Sequence, residues 1–353
     1  MKLNFYKLTL LGLLITIASC KKNDQLNAPV MDPDARLTAA AGADHLPLTV
    51  VTIAGKYNTQ GYVDGPGDQA RFTGTSGLEL MTDGSLLIAD TYNNKIRKIT
   101  NEGVVSTVSI PKNNLGESLS QPNFILTQQD GTMNILAGAS NYQGSNNKFW
   151  IIKPDANTSI TPARRSTNDF YRVLAKDPYN SYLFMGGQEN KFDSNGNDFQ
   201  RAFIEKFLPG TGNTYGTDIM YLPASVPANI PEVTSLYCGY NAVKYIVIHS
   251  NILYKLTPAG VYQALYTANP AVSISDVIAT KDSQTLYIAE GGAIKAISKG
   301  RVQFIVGPHK ELKGRDGVGS NADVYAFKLA LSKDESILYF TDGNTTVRKL
   351  YLL

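Results

Sequence analysis

The chain has 353 residues, with 33 Lys and Arg against 30 Asp and Glu, and charged residues make up 18% of it. This fraction lies below the roughly 25% of an average domain, while the 20 tyrosines favour strands over solvated helices. The composition excludes disorder over most of the chain. The near-neutral net charge argues against a nucleic acid as the partner, because that would need a concentrated basic face.

The first 19 residues have the pattern of a signal peptide. Lys2 and Lys7 precede an apolar stretch, Leu8 to Ile17, that is too short to span a membrane. Residues 17–20 read Ile-Ala-Ser-Cys and resemble the bacterial lipobox, in which the cysteine is acylated and becomes the first mature residue. The resemblance implies lipidation of Cys20 and an anchor in the bacterial cell envelope, where we expect the outer membrane. The alternative is a plain secretory signal with an incidental cysteine.

Residues 20–47 follow as a stretch of scattered Ala, Pro and Asp without sustained periodicity. We interpret this stretch as a flexible tether between Cys20 and a folded domain over residues 48–353. With Cys20 lipidated, Cys238 has no intramolecular partner. It lies in an apolar run, so we predict a buried small hydrophobic residue rather than a disulfide or a metal ligand.

Two stretches at opposite ends of the domain, 48–108 and 301–353, share one order of elements. Each has an apolar strand ending in Gly, an Asp-Gly turn, a strand ending in Asp, and a strand that carries Arg. The shared residues are Gly55, Asp64, Gly65, Asp90 and Arg97 in the first stretch and Gly307, Asp316, Gly317, Asp342 and Arg348 in the second.

Both stretches resemble the NHL repeat, which implies a β-propeller. Weaker copies of the Asp-ending strand occur between them, and the equivalent residues are Asp90, Gly138, Gly187, His249, Glu290 and Asp342, at spacings of 48, 49, 62, 41 and 52. Short apolar strands separated by Gly, Asp, Asn and Pro also indicate antiparallel meanders, which bury both faces only when they stack radially. We therefore predict an all-β fold, a six-bladed propeller of four-stranded antiparallel blades.

Ring closure is predicted at the two ends of the domain. The last strand, residues 347–352, has no outer neighbour in its own blade, and the apolar run 48–53 belongs to no other blade. We expect this N-terminal strand to join the last blade, which removes two exposed edges at once.

The acidic and basic residues of the two matching stretches are interpreted as structural. Asp most often shapes a turn by accepting backbone N–H bonds, and Gly permits positive φ, so we assign Asp64, Gly65, Asp90, Asp316, Gly317 and Asp342 to turns. Catalytic carboxylates are the alternative. We expect Arg97 and Arg348 to pack between blades and pair with carboxylates, although an Arg at a rim could hold an anion.

Candidate ligand-binding residues lie in turns that should emerge on one face of the ring. These turns are rich in Tyr, Asn and Gln, and aromatic faces beside amides suit sugar rings or peptide backbones. The alternative is that Asn and Gly only make good turns. The insert 188–200 is interpreted as a long loop, a common place for function. The candidates are Tyr92, Asn93, Asn94, Tyr142, Asn190, Phe192, His249, Glu290 and Asn344.

The sequence contains no recognisable catalytic set, and we assign no catalytic residue, cofactor or metal ligand. The leading hypothesis is a lipid-anchored, monomeric binding module that engages a protein partner or an extracellular glycan through its loop-rich face. Some propeller enzymes of similar architecture hold a metal with histidines or carboxylates, so a lyase or hydrolase with a metal site at the central channel is the alternative. A structural scaffold for a larger envelope complex is a third hypothesis.

Overall fold

The computed structural model describes residues 46–138, 147–162, 169–180, 182–192, 195–196, 198–207, 218–222 and 232–352. The predicted signal peptide and nearly all of the predicted tether lie outside these ranges and stay predictions. Within the ranges, no helix is long and apolar enough to cross a membrane. The helices found there are three 3₁₀ turns, Thr91–Asn93, Tyr240–Ala242 and Gly319–Asn321.

The strands of the described residues form six antiparallel sheets, numbered here as blades in chain order. Blade 1 contains β2 (Gly65–Pro66), β3 (Thr75–Leu80), β4 (Leu86–Asp90), β5 (Lys95–Ile99) and β6 (Val104–Val108). Blade 2 contains β7 (Pro122–Thr127), β8 (Met133–Ala137) and β9 (Lys148–Ile152). Blade 3 contains β10 (Asp169–Lys176), β11 (Leu183–Phe192), β12 (Asp198–Phe207) and β13 (Asp218–Tyr221).

The second half of the ring has the same arrangement. Blade 4 contains β14 (Val233–Cys238), β15 (Lys244–Ile248), β16 (Ile252–Leu256) and β17 (Tyr262–Thr267). Blade 5 contains β18 (Ile274–Ala279), β19 (Thr285–Glu290), β20 (Ala293–Ser298) and β21 (Arg301–Val306). Blade 6 contains β22 (Gly317–Val318), β23 (Ala326–Leu331), β24 (Ile337–Asp342), β25 (Thr346–Tyr351) and also β1 (Thr49–Gly55).

The innermost strands close the ring. In chain order they are β3, β7, β10, β14, β18 and β23; each contacts the next, and β23 returns to contact β3. The prediction of an all-β, six-bladed propeller is therefore confirmed. Blades 3, 4 and 5 have four strands, whereas blades 1 and 6 gain a fifth of two residues. In blade 2, the place of a fourth strand is taken by Ile160, which bridges Ile151.

The predicted closure by the N-terminal strand is also confirmed. Strand β1 pairs antiparallel with β25, with Val50 opposite Leu350 and Thr52 opposite Arg348. Strand β22 then covers the other edge of β1, so β1 is not the outermost strand of blade 6. The first and last strands of the ring are thus held in one sheet, and neither leaves a long free edge.

A β-bulge near the start of every inner strand fixes how the blades align. In five blades the residue before the bulge pairs with the last residue of the second strand, which is Asp90, Ala137, Ile248, Glu290 or Asp342. In blade 3 the partner is Gly187, and β11 continues beyond it. The predicted equivalents Gly138 and His249 are therefore wrong by one residue. Both have positive φ, 100° and 52°, and already belong to the turn.

The hydrophobic core is divided into six clusters, one between each pair of neighbouring blades. Alternating strand residues point to the two faces of a blade, so each sheet contributes to two clusters. Cys238 lies in the cluster between blades 3 and 4 as a buried free cysteine, and burial raises the pKa of its thiol to about 12. This is the environment that its apolar run predicted.

Candidate functional site

The propeller presents two different ends. We call the end at which the inner strands begin the upper face; it carries the turns after the second strands and the crossings between blades. The end at which the inner strands finish is the lower face. The sequence-predicted ligand candidates that the structure describes lie in segments of the upper face, so the sites below are described from that end.

Arg97 organises the crossing segment that leads into blade 1. Its side chain is fully buried, and its guanidinium lies 2.8 Å from Oδ2 of Asp90 and 2.5 Å from Oδ1 of Asp64. It also donates to the carbonyl oxygens of Val63 and Arg71. Burial raises the pKa of Asp90, although the hydrogen bonds from Asn93 and Arg97 oppose this. These residues therefore hold the crossing segment onto the blade.

Arg348 repeats the same contacts in blade 6. Its guanidinium lies 2.5 Å from Oδ2 of Asp342 and 2.7 Å from Oδ1 of Asp316, and it donates to the carbonyl oxygens of Asp323 and Arg315. Burial raises the pKa of Asp342 against the opposing charge of Arg348. The same residue types thus form the same network at both ends of the domain, although Arg follows the strand-ending Asp by seven residues in blade 1 and by six in blade 6.

The two Asp-Gly pairs are not free turns. Gly65 begins β2 and pairs with Val105, and Gly317 begins β22 and pairs with Val50. The carboxylates beside them serve the Arg networks, so the assignment of these pairs to simple turns was incomplete. Gly65 has φ of 123°, a conformation that L residues rarely adopt.

The turn after β4 contains three predicted ligand candidates with different environments. Asn93 donates from Nδ2 to Gly61 O and to Oδ2 of Asp90, so its amide holds the turn. Asn94 has φ of 56°, and its Oδ1 accepts from the backbone of Gln121. Asn94 is exposed as well, and the ring of Tyr92 is exposed to 68%.

Tyr92 belongs to a group of exposed side chains that we call the tyrosine patch. The patch consists of Tyr57, Tyr92 and Tyr325, which are 44%, 68% and 48% exposed, together with the exposed Asn344. Tyr57 and Tyr325 were not among the sequence-predicted residues. They lie in crossings between blades, and the sequence pattern of a crossing does not indicate which side chains reach its surface.

Each tyrosine ring of the patch rests on a glycine of a neighbouring segment. All three glycines have positive φ, and a Cβ atom at any of them would collide with the ring. The pairs are Tyr57 with Gly314, Tyr92 with Gly74 and Tyr325 with Gly292, with 2.1, 2.6 and 2.7 Å between the ring and the position of that Cβ.

One turn of blade 6 connects the three tyrosine segments. Gly343 N donates to Tyr325 O at 3.0 Å. Asn344 O accepts from Gly74 N at 2.8 Å, beneath the Tyr92 ring. The next residue, Thr345, accepts with Oγ1 from the backbone of Asn58, adjacent to Tyr57. The fold therefore brings Tyr92 and Asn344 together, as members of one surface over blades 5, 6 and 1.

The remaining candidates lie elsewhere on the ring. His249 is an exposed turn residue of blade 4 and donates its backbone N–H to Glu232 O. Glu290 is buried in blade 5, where it accepts from Tyr266 OH at 2.8 Å and pairs with Lys295 at 2.9 Å. Burial and this carboxylate raise the pKa of Tyr266. Tyr142 and Cys20 lie outside the described residues.

The insert 188–200 was predicted as a long loop, and this prediction is wrong. Strands β11 and β12 continue through it as a hairpin, paired as far as Phe192 opposite Asp198. Asn190 lies in this hairpin and accepts from Gln188 Nε2. The polar composition suggested a loop because the hairpin extends past the blade, where a strand needs few apolar residues.

The predicted alternative, a metal-dependent enzyme, requires a set of ligands. In the part of the chain that the structure describes, no group of three or more His, Cys, Asp or Glu side chains could hold a metal ion. No such ligand set is therefore found around the channel within those residues.

No protein-family model and no curated protein matches the chain. Among solved structures, an auxiliary nutrient binding protein from Bacteroides ovatus is similar, with a TM-score of 0.59, 13% identity, and coverage of 87% of this chain and 77% of that one. Another auxiliary nutrient binding protein, from Bacteroides thetaiotaomicron, has a TM-score of 0.57 and 14% identity, with coverage of 86% of this chain and 76% of that one. Virginiamycin B lyase from Staphylococcus aureus has a TM-score of 0.54 and 13% identity, with coverage of 80% of this chain and 96% of that one. At these identities the similarity shows the β-propeller fold alone.

Proposed function

We propose that the protein is a lipid-anchored binding protein of the bacterial envelope that engages an extracellular glycan through the tyrosine patch. The observation that carries this proposal is the grouping of three exposed tyrosine rings, each supported by a glycine, around the exposed amide of Asn344. Soluble proteins seldom expose such a group without a use for it.

The chemistry of the patch suits a sugar. A flat aromatic ring offers apolar contact to the C–H face of a pyranose, while phenol and amide groups donate and accept hydrogen bonds to its hydroxyls. A tyrosine side chain has only two rotatable angles, so its ordering costs little entropy. The packing against glycine restricts the rings further before any ligand arrives.

The proposed location is supported by the sequence. Residues 1–20 have the order of a signal peptide ending in a lipobox-like cysteine, and the NHL-like repeat follows a stretch of tether composition. Two of the similar solved structures are named nutrient binding proteins of Bacteroides, which agrees with a binding role. Replacement of Cys20 by Ala should release the protein from the membrane fraction and abolish its labelling by a radioactive fatty acid.

Binding is tested with a glycan array, followed by calorimetry with the glycans that bind. Tyr92→Ala and Tyr325→Ala should each weaken binding about 2- to 10-fold, because each ring contributes about 0.5–1.5 kcal/mol. Tyr179→Ala is the matched control, since Tyr179 is 59% exposed but lies after β10 on the lower face. Unchanged glycan binding in the double variant Tyr92→Ala, Tyr325→Ala would contradict the proposal. If no glycan binds, and an envelope protein is captured in a way that requires the same two tyrosines, the ligand of the patch is a protein and not a glycan.

A further inference from the structure

The lower end of the central channel contains a cavity of about 740 Å³. Its walls are the second halves of all six inner strands and the turns that follow them, so every blade contributes to it. This volume lies within the range of about 300–1,000 Å³ that is typical of small-molecule sites. The cavity opens opposite the tyrosine patch and is independent of the function proposed for that patch.

The inner end of the cavity is formed by side chains that cross the channel. Lys328 of blade 6 places its ammonium 4.3 Å from the ring centre of Phe124 in blade 2, across the intervening blade 1. The same ammonium lies 3.2 Å from Oδ1 of Asp276 in blade 5. Oδ1 and Oδ2 of that carboxylate also accept from Ser235 in blade 4 and from the backbone of Leu329. These contacts connect blades 2, 4, 5 and 6 at the closed end.

The wall nearer the opening contains a buried carboxylate with an available oxygen. Glu79 is only 6% exposed, and its Oε1 accepts from the backbone N–H and the hydroxyl of Thr127 at 3.2 and 2.9 Å and from the ammonium of Lys176. Within the described residues, all of these contacts fall on Oε1. Oε2 therefore remains an acceptor beside the cavity, and it is rigidly placed because blades 2 and 3 hold the group.

The charge of the lining indicates the kind of ligand. Among the residues that the structure describes, four carboxylates and four lysine ammonium groups line the cavity, without Arg or His, so these formal charges balance. An ionic ligand would leave one charge uncompensated in a recessed site, which is costly. A neutral molecule with several hydroxyls can accept from the lysines and donate to Oε2 of Glu79, and it can place its apolar face on Phe124 and Tyr237. We propose that the lower cavity binds a neutral mono- or disaccharide.

The probes for this site are D-glucose, D-galactose, N-acetyl-D-glucosamine, maltose and cellobiose, with D-glucuronate and D-glucosamine as charged counterparts. Calorimetry on the whole protein should show saturable binding of at least one neutral sugar and weaker binding of both charged ones. Failure of every neutral sugar to bind, or equal binding of a charged counterpart, would overturn the proposal.

Two variants locate the binding. Gln129 is exposed at the cavity opening, so Gln129→Trp should block entry and weaken binding at least about tenfold without disturbing the fold. Ala259→Trp is the control, because Ala259 is exposed in the turn between β16 and β17 on the same face but does not line the cavity. Glu79→Gln tests the acceptor and should also weaken binding.

The result is separable from the outcome at the tyrosine patch. The double variant Tyr92→Ala, Tyr325→Ala should leave this binding unchanged. Binding that persists in Gln129→Trp, or that disappears in the tyrosine double variant, would place the sugar elsewhere and refute the site.

Discussion

Blades 5, 6 and 1 differ from blades 2, 3 and 4 at one equivalent position of the third strand. In blade 1, for example, Asp90 pairs with the residue before the bulge of the inner strand, and Ile88, two residues before Asp90, pairs with Arg97 of the third strand. In chain order from blade 1 this position is occupied by Arg97, Trp150, Glu205, Tyr254, Lys295 and Arg348. The three cations lie in adjacent blades, and each faces an acid at the end of the second strand. Blades 2 and 4 end that strand with Ala137 and Ile248, and blade 3 has Gly187 at the equivalent position inside β11.

Blades of the same architecture are therefore stabilised by two kinds of interaction at this position. In blades 5, 6 and 1, which we call the ionic half, buried ion pairs stabilise the sheets, and in blades 1 and 6 they also hold the crossing segments. In blades 2, 3 and 4, the packed half, the equivalent position carries no cation: Trp150 packs between sheets and Tyr171 OH donates to Glu205 at 2.7 Å. The ion pair of Glu189 with Arg201 in blade 3 lies outside this position. The seam at which β1 closes the ring lies in the ionic half. Since buried pairs demand exact partners, they specify the register at the seam, which apolar packing alone specifies less strictly.

The largest expected effect comes from removal of the closing strand. A chain that begins at Lys56 lacks β1 and exposes the edge of β25, with Val50 and Ala54 withdrawn from the core. We expect it to unfold or aggregate, because the ring cannot close. Circular dichroism gives the melting temperature, and size-exclusion chromatography detects aggregates. A chain that begins at Leu46 is the matched control and should behave like the full chain; equal melting temperatures for the two truncations would contradict the closure.

Next in size is the loss of one cation of the ionic half. Arg348→Met leaves the buried carboxylate of Asp342 without its partner and should reduce the free energy of unfolding by about 3–5 kcal/mol. Lys295→Met should cost less, about 1.5–3 kcal/mol, because Lys295 is partly exposed, whereas Arg348 is buried and also pairs with Asp316.

Tyr254→Phe is the control for these variants in the packed half. It alters the same position without unpairing a charge, so the cost should stay below about 1 kcal/mol. Urea unfolding of the three variants gives the comparison. Similar losses for Arg348→Met and Tyr254→Phe would remove the distinction between the two halves.

Over a single pH unit, a smaller effect on stability is expected from the buried Cys238 thiol of the packed half at alkaline pH. Burial holds the pKa of Cys238 at about 12, above its ordinary value, so between these values only the unfolded chain loses the thiol proton. Stability must then fall as pH rises through this window, by about 1.4 kcal/mol for each pH unit. Chemical unfolding of the Cys20→Ala chain with and without Cys238→Ala isolates this slope. Parallel pH dependences would mean that the thiol is not buried in solution.

The sequence predicted the fold most accurately where the ionic half repeats. Asp-Gly, a strand ending in Asp and an Arg strand recur at both ends, and the Asp90 and Asp342 networks show why: each carboxylate pairs with an Arg of the next strand. In blades 2 and 4, the second strand ends in an apolar residue, so no Asp marks its end in the sequence. The predicted equivalents Gly138 and His249 therefore fell in the turn, because nothing in the two apolar runs marks the last strand residue.

The candidate site was less predictable, because exposure depends on packing between distant segments. Tyr92 and Asn344 were predicted from their Asn-rich turns, whereas Tyr57 and Tyr325 acquire their positions from Gly314 and Gly292. One pattern that repeats from blade to blade was missed in the sequence. Five blades place an Asp in the first hairpin turn, whose carboxylate accepts the N–H two residues on, namely Asp83, Asp130, Asp177, Asp282 and Asp334.

This Asp turn gives the smallest expected effect, and it should be the same in both halves. Asp83 in blade 1 and Asp130 in blade 2 have carboxyl pKa values lowered chiefly by hydrogen bonds from Ser85 and Thr132, that of Asp83 to about 2. The ionised form therefore stabilises the fold above the unfolded pKa, and this contribution is lost as pH falls toward 2. Because Asp83 is largely exposed and screened by solvent, Asp83→Ala should cost only a few tenths to about 1 kcal/mol at neutral pH. Asp130→Ala should cost the same, and urea unfolding at neutral and acidic pH should show both losses shrinking together. A cost confined to blade 1 would mean that the ionic half also depends on its hairpin turns, and the contrast between the halves would then extend beyond the third strand.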